Sequence, residues 1–125
     1  MINLKLIKTL EPNFNFEDDR GTLTEIFNKG GFEQINAVYT KKGAIRGSFH
    51  YHRTTKEAFY VISGEIEVTA SLDGKTETEI FKTGDFFAID EFVKHSMNYL
   101  DDTYLVVLYT SSVTLPDGTK DIITD

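Results

Sequence analysis

Phe49-His50-Tyr51-His52-Arg53-Thr54-Thr55-Lys56-Glu57-Ala58-Phe59-Tyr60-Val61-Ile62-Ser63-Gly64 is the stretch on which the reading of this chain turns. Its second half is β-branched and aromatic and ends on a glycine, the composition of a strand running into a turn. Side chains two positions apart on a strand share a face. His50 and His52 therefore aim two imidazoles at one spot, while Glu57, Phe59 and Val61 form an inward-facing row on the next strand. The one remaining histidine, His95, stands between Val93 and Met97 at strand spacing and is expected to face inward too. A carboxylate buried beside imidazoles is costly unless a cation compensates. A donor set of His50, His52, Glu57 and His95 suits a divalent metal such as zinc, iron, nickel or manganese. A lone histidine in a strand is ordinarily a packed or surface residue. Here the His-x-His pair, the acid five positions on and the third histidine in a later glycine-initiated segment together point to a site.

The flanking sequence is β in texture. Runs rich in Val, Ile, Thr, Tyr and Phe, separated by Gly, Asn and Asp, predict strands over Leu4–Leu10, Thr22–Asn28, Gln34–Thr40, Ile45–His52, Glu57–Ser63, Glu65–Leu72, Lys75–Phe81, Phe86–Ile89, His95–Tyr99 and Thr103–Thr110. Asp73-Gly74 reads as a two-residue type I′ hairpin turn, in which both positions need positive φ. Gly64, Gly84 and Gly30-Gly31 mark further turns. No segment repeats apolar residues at helical spacing over three turns. Ten short strands in a single domain covering 1–125 predict an all-β sandwich or closed barrel. Thr103–Thr110 is apolar on both sides, so one face is expected to line the interior and the other to meet a second layer or subunit.

Composition narrows the function classes. The chain has 125 residues, ten Phe, six Tyr and no Cys, which is enough for a real core and excludes disulfides and thiolate ligands. A formal net charge of −7 argues against a nucleic-acid backbone as partner. An anionic small molecule stays compatible, since a few arginines in a cleft hold a phosphate locally. No apolar run of 18 residues predicts a membrane span, and the N-terminus lacks the apolar stretch of a signal peptide, so a cytoplasmic location is expected. The acidic residues of Asp117–Asp125 read as a solvated tail.

The pattern His50-x-His52-x4-Glu57-x6-Gly64 resembles the first motif of the cupin superfamily, and Gly84 to His95 resembles the second in its spacing. Asp90 stands where that motif has proline, Phe92 where it has glycine, and Asn98 one position early. The resemblance implies a single cupin domain, a jelly-roll β-barrel of two packed sheets, usually a homodimer, with a metal held by the positions matching His50, His52, Glu57 and His95. A narrower resemblance covers most of the chain. Asp18-Asp19-Arg20-Gly21-Thr22-Leu23-Thr24-Glu25 is similar to the opening of sugar-nucleotide cupins. Gln34 to Gly47 is similar to a strand pair of dTDP-4-keto-6-deoxyhexose 3,5-epimerases. Phe49 to Glu57 is similar to a segment of dTDP-sugar 3,4-ketoisomerases and to the cupin domain of capsular-polysaccharide enzymes.

That resemblance implies an isomerase that moves a proton next to the carbonyl of a nucleotide-linked 4-keto-6-deoxy sugar, in polysaccharide biosynthesis. Such chemistry needs a base near neutral pKa and stabilisation of an enolate oxygen. Without a metal, His50 or His52 serves as base and acid. With one, the ion acts as Lewis acid and a tyrosine, Tyr39, Tyr60 or Tyr99, takes the proton. Arg20 and Arg46 are candidate clamps for the diphosphate, with Tyr39 beside the substrate. Two other readings fit the same donors. One is a metal-dependent dioxygenase, and the other is a non-enzymatic cupin that binds a metal or sugar.

Overall fold

A computed structural model describes residues 5–46 and 49–124. Of the expected elements, Leu4 in the first strand, Gly47 and Ser48 in the fourth, and Asp125 in the tail lie outside the described residues. So do the first four residues of the N-terminus that was read for a leader.

The described residues form twelve strands: β1 (Ile7–Leu10), β2 (Phe14–Asp18), β3 (Gly21–Glu25), β4 (Gln34–Thr40), β5 (His50–Tyr51), β6 (Glu57–Ser63), β7 (Glu65–Leu72), β8 (Lys75–Lys82), β9 (Phe86–Ile89), β10 (Lys94–Tyr99), β11 (Thr103–Tyr109) and β12 (Ile123–Thr124). Two five-stranded antiparallel sheets run in the orders β1-β9-β6-β11-β4 and β12-β5-β10-β7-β8, and β2 pairs only with β3. The chain crosses between the sheets repeatedly, which makes the fold an all-β jelly roll as the resemblance implies. Among the described residues the two sheets are hydrogen-bonded separately, so the interior is walled as a sandwich. No helix among the described residues is long and apolar enough to cross a membrane.

The alternation of β7 builds one wall. Ile66, Val68 and Ala70 are buried, whereas Glu65, Glu67 and Thr69 look outward. Phe59, Val61, Leu105 and Val107 build the other wall and share one apolar cluster with them. Phe87 stacks between Phe59 and Phe81, with ring centroids 4.9 and 4.0 Å away. The central strands β6 and β11 are apolar on both faces, and a second layer covers one end of their outer face. Ala58, Phe86 and Leu108 pack with Ile26 and Phe32 of the segment before β4. The Asp73-Gly74 turn has positive φ at both positions, 50° and 80°, as a type I′ turn requires. Gly64 lets the chain pass from one sheet to the other. At φ 119°, a Cβ there would come within 2.6 Å of the Asp102 carbonyl oxygen and 2.7 Å of Thr103 Cα.

Three strands depart from the sequence expectation. β2 forms from Phe14–Asp18, where alternation with Asn15 and Glu17 is sustained only by its hairpin partner. β12 forms inside the stretch expected to be a solvated tail, because the short β5 leaves an edge free to pair Ile123 with Tyr51 and Thr124 with His50. Of the expected Ile45–His52 strand, the described residues form only β5, and Ile45 is 87% exposed.

Candidate functional site

His50 on β5, His52 just beyond it, Glu57 at the start of β6 and His95 on β10 converge in the interior. One donor atom from each lies within 4.8 Å of the others. Pairing of His95 with His50 across β10 and β5 brings the two distant motifs together. The ring centroids of His50 and His95 are 4.5 Å apart, and those of His50 and His52 are 5.2 Å apart. His52, Glu57 and His95 are buried, and His50 is half-buried.

Hydrogen bonds fix how two of the rings present their nitrogens. His52 Nδ1 lies 2.6 Å from the carbonyl oxygen of Asp121, and His95 Nδ1 lies 3.0 Å from that of Val93. A carbonyl oxygen only accepts, so each Nδ1 carries the proton, and in the neutral ring each Nε2 is left as a lone pair. Both Nε2 atoms point at the same carboxylate oxygen. Glu57 Oε1 is 2.6 Å from His52 and 3.0 Å from His95. His52 Nε2 and Glu57 Oε1 are close, yet neither has a well-directed hydrogen-bond partner. Lone pairs facing a carboxylate in a dry interior need a positive charge among them, either a proton or a metal ion. The donor set therefore fits a divalent cation held by His50, His52, Glu57 and His95.

The same proximity shifts the titrations. Burial raises the Glu57 pKa, but His52 and His95 outweigh it and hold the carboxyl down to about 2. Burial lowers the His52 pKa, but the Glu57 carboxylate and the Asp121 carbonyl overcome this and raise it. The two shifts are two sides of one interaction, in which each group favours the charged form of the other.

A cavity of about 370 Å³ opens onto the cluster. Val38, Leu105, Val107 and Met97 give it apolar walls, and Arg46, Tyr99, Tyr109 and Thr124 supply polar groups. Arg46 is held at the rim. Its Nε donates to Thr40 Oγ1 at 2.9 Å and its Nη2 to the Tyr39 carbonyl at 3.0 Å. Tyr109 sits opposite Glu57 in the β6–β11 register. Burial, reinforced by the Glu57 charge, pushes its hydroxyl up to about 12, so it keeps its proton at neutral pH. Burial raises the Tyr99 hydroxyl as well.

Three of the candidate residues lie elsewhere. Arg20 sits at the β2–β3 turn, its side chain 82% exposed, bound to Asp18 through Nε at 2.9 Å and Nη2 at 2.6 Å. That hairpin pairs with neither sheet, so nothing within this chain carries Arg20 to the cavity. Tyr39 alternates with inward Val38 and therefore faces out, against Tyr104 at 4.5 Å. Tyr60 alternates with Phe59 and faces out against Phe86. Two residues were missed. Tyr109 was readable from the alternation of Leu105 and Val107. Asp121 carries no local signal: it is 2% exposed and accepts from Arg53 N, Thr54 N and Thr54 Oγ1 at 2.8 to 2.9 Å, which pins the carbonyl that orients His52.

A model of the cupin domain family matches residues 37–111. No curated protein sequence matches the chain significantly. Solved structures are more informative. A dTDP-4-dehydrorhamnose 3,5-epimerase from Sulfolobus tokodaii superposes with a TM-score of 0.75 at 24% identity, covering 94% of this chain and 77% of that one. A 3,4-ketoisomerase from Helicobacter canadensis gives 0.79 at 20% identity, covering 95% and 90%. A sugar 3,4-ketoisomerase from Thermoanaerobacterium thermosaccharolyticum, solved in complex with TDP, gives 0.78 at 15% identity, covering 97% and 89%. At these identities the likeness is one of fold.

Proposed function

The chain belongs to the cupin domain family, and from that membership we propose that it is an isomerase of nucleotide-linked 4-keto-6-deoxy sugars, moving a proton next to the keto group. One observation carries this reading. A single cavity joins an imidazole cluster, two tyrosine hydroxyls and a rim guanidinium. Its fold neighbours include 3,5-epimerases and 3,4-ketoisomerases, one of them solved with TDP-4-keto-6-deoxyglucose.

His50 is the half-buried imidazole facing the cavity and is the base that takes the proton α to the carbonyl. Tyr109 keeps its proton at neutral pH and donates it to the developing enolate oxygen. Tyr99 hydrogen-bonds the substrate from the opposite wall, on β10. Arg46 holds the diphosphate at the rim, where a guanidinium meets phosphate oxygens in bidentate fashion. The apolar walls take the methyl-bearing face of the sugar.

The aim of two Nε2 lone pairs at Glu57 favours a second version of the site, in which His50, His52, Glu57 and His95 hold a divalent metal. When bound, the ion supplies a Lewis acid for the carbonyl oxygen. The ligated imidazoles would then be unavailable as bases, and Tyr99, which also lines the cavity, would take the proton in place of His50. We also place the protein in the cytoplasm as a homodimer. On the outer face of the first sheet Ile35, Tyr39, Ile62 and Tyr104 are between 40 and 66% exposed, an apolar patch of the kind that a second copy would cover.

Deuterium wash-in from D2O into TDP-4-keto-6-deoxyglucose, followed by proton NMR, tests the proposal. Wild type should label the carbon next to the keto group, and His50→Ala should label it at least about 100-fold more slowly. Labelling abolished by a chelator and restored by a divalent metal selects the metal version. An enzyme that neither labels this substrate nor gains thermal stability from TDP would sink the assignment.

A further inference from the structure

A second depression, enclosing about 580 Å³, lies on the outer side of the second sheet. It runs between Tyr51 on β5, the Asp73-Gly74 turn and the turn leading into β10. Tyr51 neighbours His50 on a strand, so its ring projects away from the interior cluster. Phe92 forms one wall, 55% exposed at φ 66°. Left-handed backbone is unremarkable in a hairpin turn such as Asp73-Gly74, but for an aromatic residue it is a strained outlier. Glycine would take the same φ without a Cβ clash, and at 55% exposure the ring gains little burial in return. Strain that local packing does not explain is a mark of a side chain used for binding.

The rest of the groove indicates what is bound. The rings of Phe92 and Tyr51 lie 6.2 Å apart with planes inclined by 31°, so they present neighbouring apolar faces. Ser71, Asp73 and Lys94 border them with a hydroxyl, a carboxylate and an ammonium group. The two charges are of opposite sign and leave the groove without net charge, while the whole chain, at −7, disfavours anions. Flat apolar faces ringed by mixed donors and acceptors match a neutral polyhydroxylated ring. Its C–H face lies on the aromatics and its hydroxyls reach the polar rim. We propose that this groove is a carbohydrate site for a neutral pyranose unit, separate from the interior cavity. Phe92 N–H donates to the His52 carbonyl at 2.7 Å, which ties this wall of the groove to the backbone of His52.

Saturation-transfer NMR on the full chain tests this, with maltotriose and methyl β-D-glucopyranoside as probes and saturating TDP present. Transfer to the ring C–H protons is expected to persist with TDP and to survive Phe92→Tyr. Phe92→Gly should weaken binding about ten-fold, the factor for one lost aromatic contact, while its Tm stays level or rises as the strain is released. Absence of transfer to both sugars in wild type overturns the proposal, as does displacement of the sugar by TDP. Undiminished transfer in a folded Phe92→Gly protein overturns it equally.

Discussion

The chain has two Arg-Gly dipeptides, and their arginines, Arg46 at the interior cavity and Arg20 in the β2–β3 hairpin, are held in opposite ways. Arg46 is tied to β4 through Thr40 and Tyr39 and faces a cavity built by both sheets. Arg20 is tied to Asp18, two residues away, and its hairpin leaves Phe14, Phe16 and Leu23 about half exposed. The cavity is made of long-range contacts and the hairpin of local ones. A short motif specifies what its own strand does; it does not specify what that strand docks against.

The comparison breaks first if the cavity side proves loosely held. Gly64→Ala is the severest probe, because the added methyl meets backbone at Asp102 and Thr103 in a left-handed conformation. We expect a loss of about 3 kcal/mol and a Tm fall of roughly 10 °C, measured by calorimetry. Gly21→Ala in the hairpin, where nothing lies within 4 Å of the added Cβ, should cost much less. Equal effects at the two sites would mean that the two sheets are not joined as tightly at Gly64 as described.

Asp121→Ala comes next. Its carboxylate accepts from two backbone N–H groups and one hydroxyl, so its loss leaves three part-buried donors without their partner, at a cost of about 1 kcal/mol. The loss also releases the carbonyl that holds the His52 proton on Nδ1. Nitrogen-15 shifts of His52 read this directly: the wild-type ring should be fixed as one tautomer and the variant ring should exchange. Asp117→Ala, at an exposed turn four residues earlier, should change neither the shifts nor the Tm. Fixed His52 shifts in a folded Asp121→Ala protein would remove the C-terminal segment from the site.

The divide between local and long-range contacts also separates what was legible in the sequence from what was not. β4, β6, β7 and β9 fall where alternation and punctuation placed them, because each is a regular strand buried on at least one face. The convergence of His50, His52, Glu57 and His95 was legible because strand spacing turned each of them inward. Asp121 was illegible, since nothing in an acidic tail signals that one carboxylate will cap the loop after β5. Tyr39 and Tyr60 are candidates from the sequence to take the proton, but alternation with Val38 and Phe59 turns both outward. Arg20 illustrates the deeper limit. Its local turn was readable, but its distance from the cavity follows from topology.

The arginines give the mildest and sharpest test. Arg46→Ala should weaken TDP binding about ten-fold by titration calorimetry, since it removes a charged contact at the cavity rim. Arg20→Ala should leave the Tm within error, because its partner Asp18 is a solvated neighbour and exposed pairs contribute little. On the contacts within one chain it should leave TDP affinity unchanged as well. Should Arg20→Ala weaken TDP binding as Arg46→Ala does, the hairpin must reach a cavity other than its own. Its exposed Phe14, Phe16 and Leu23 would then be the apolar surface that carries it onto a second copy. Mixing the two single variants decides between these outcomes. Restored affinity in the mixture requires one chain's hairpin to complete the other chain's cavity, whereas unrestored affinity confines each arginine to its own chain.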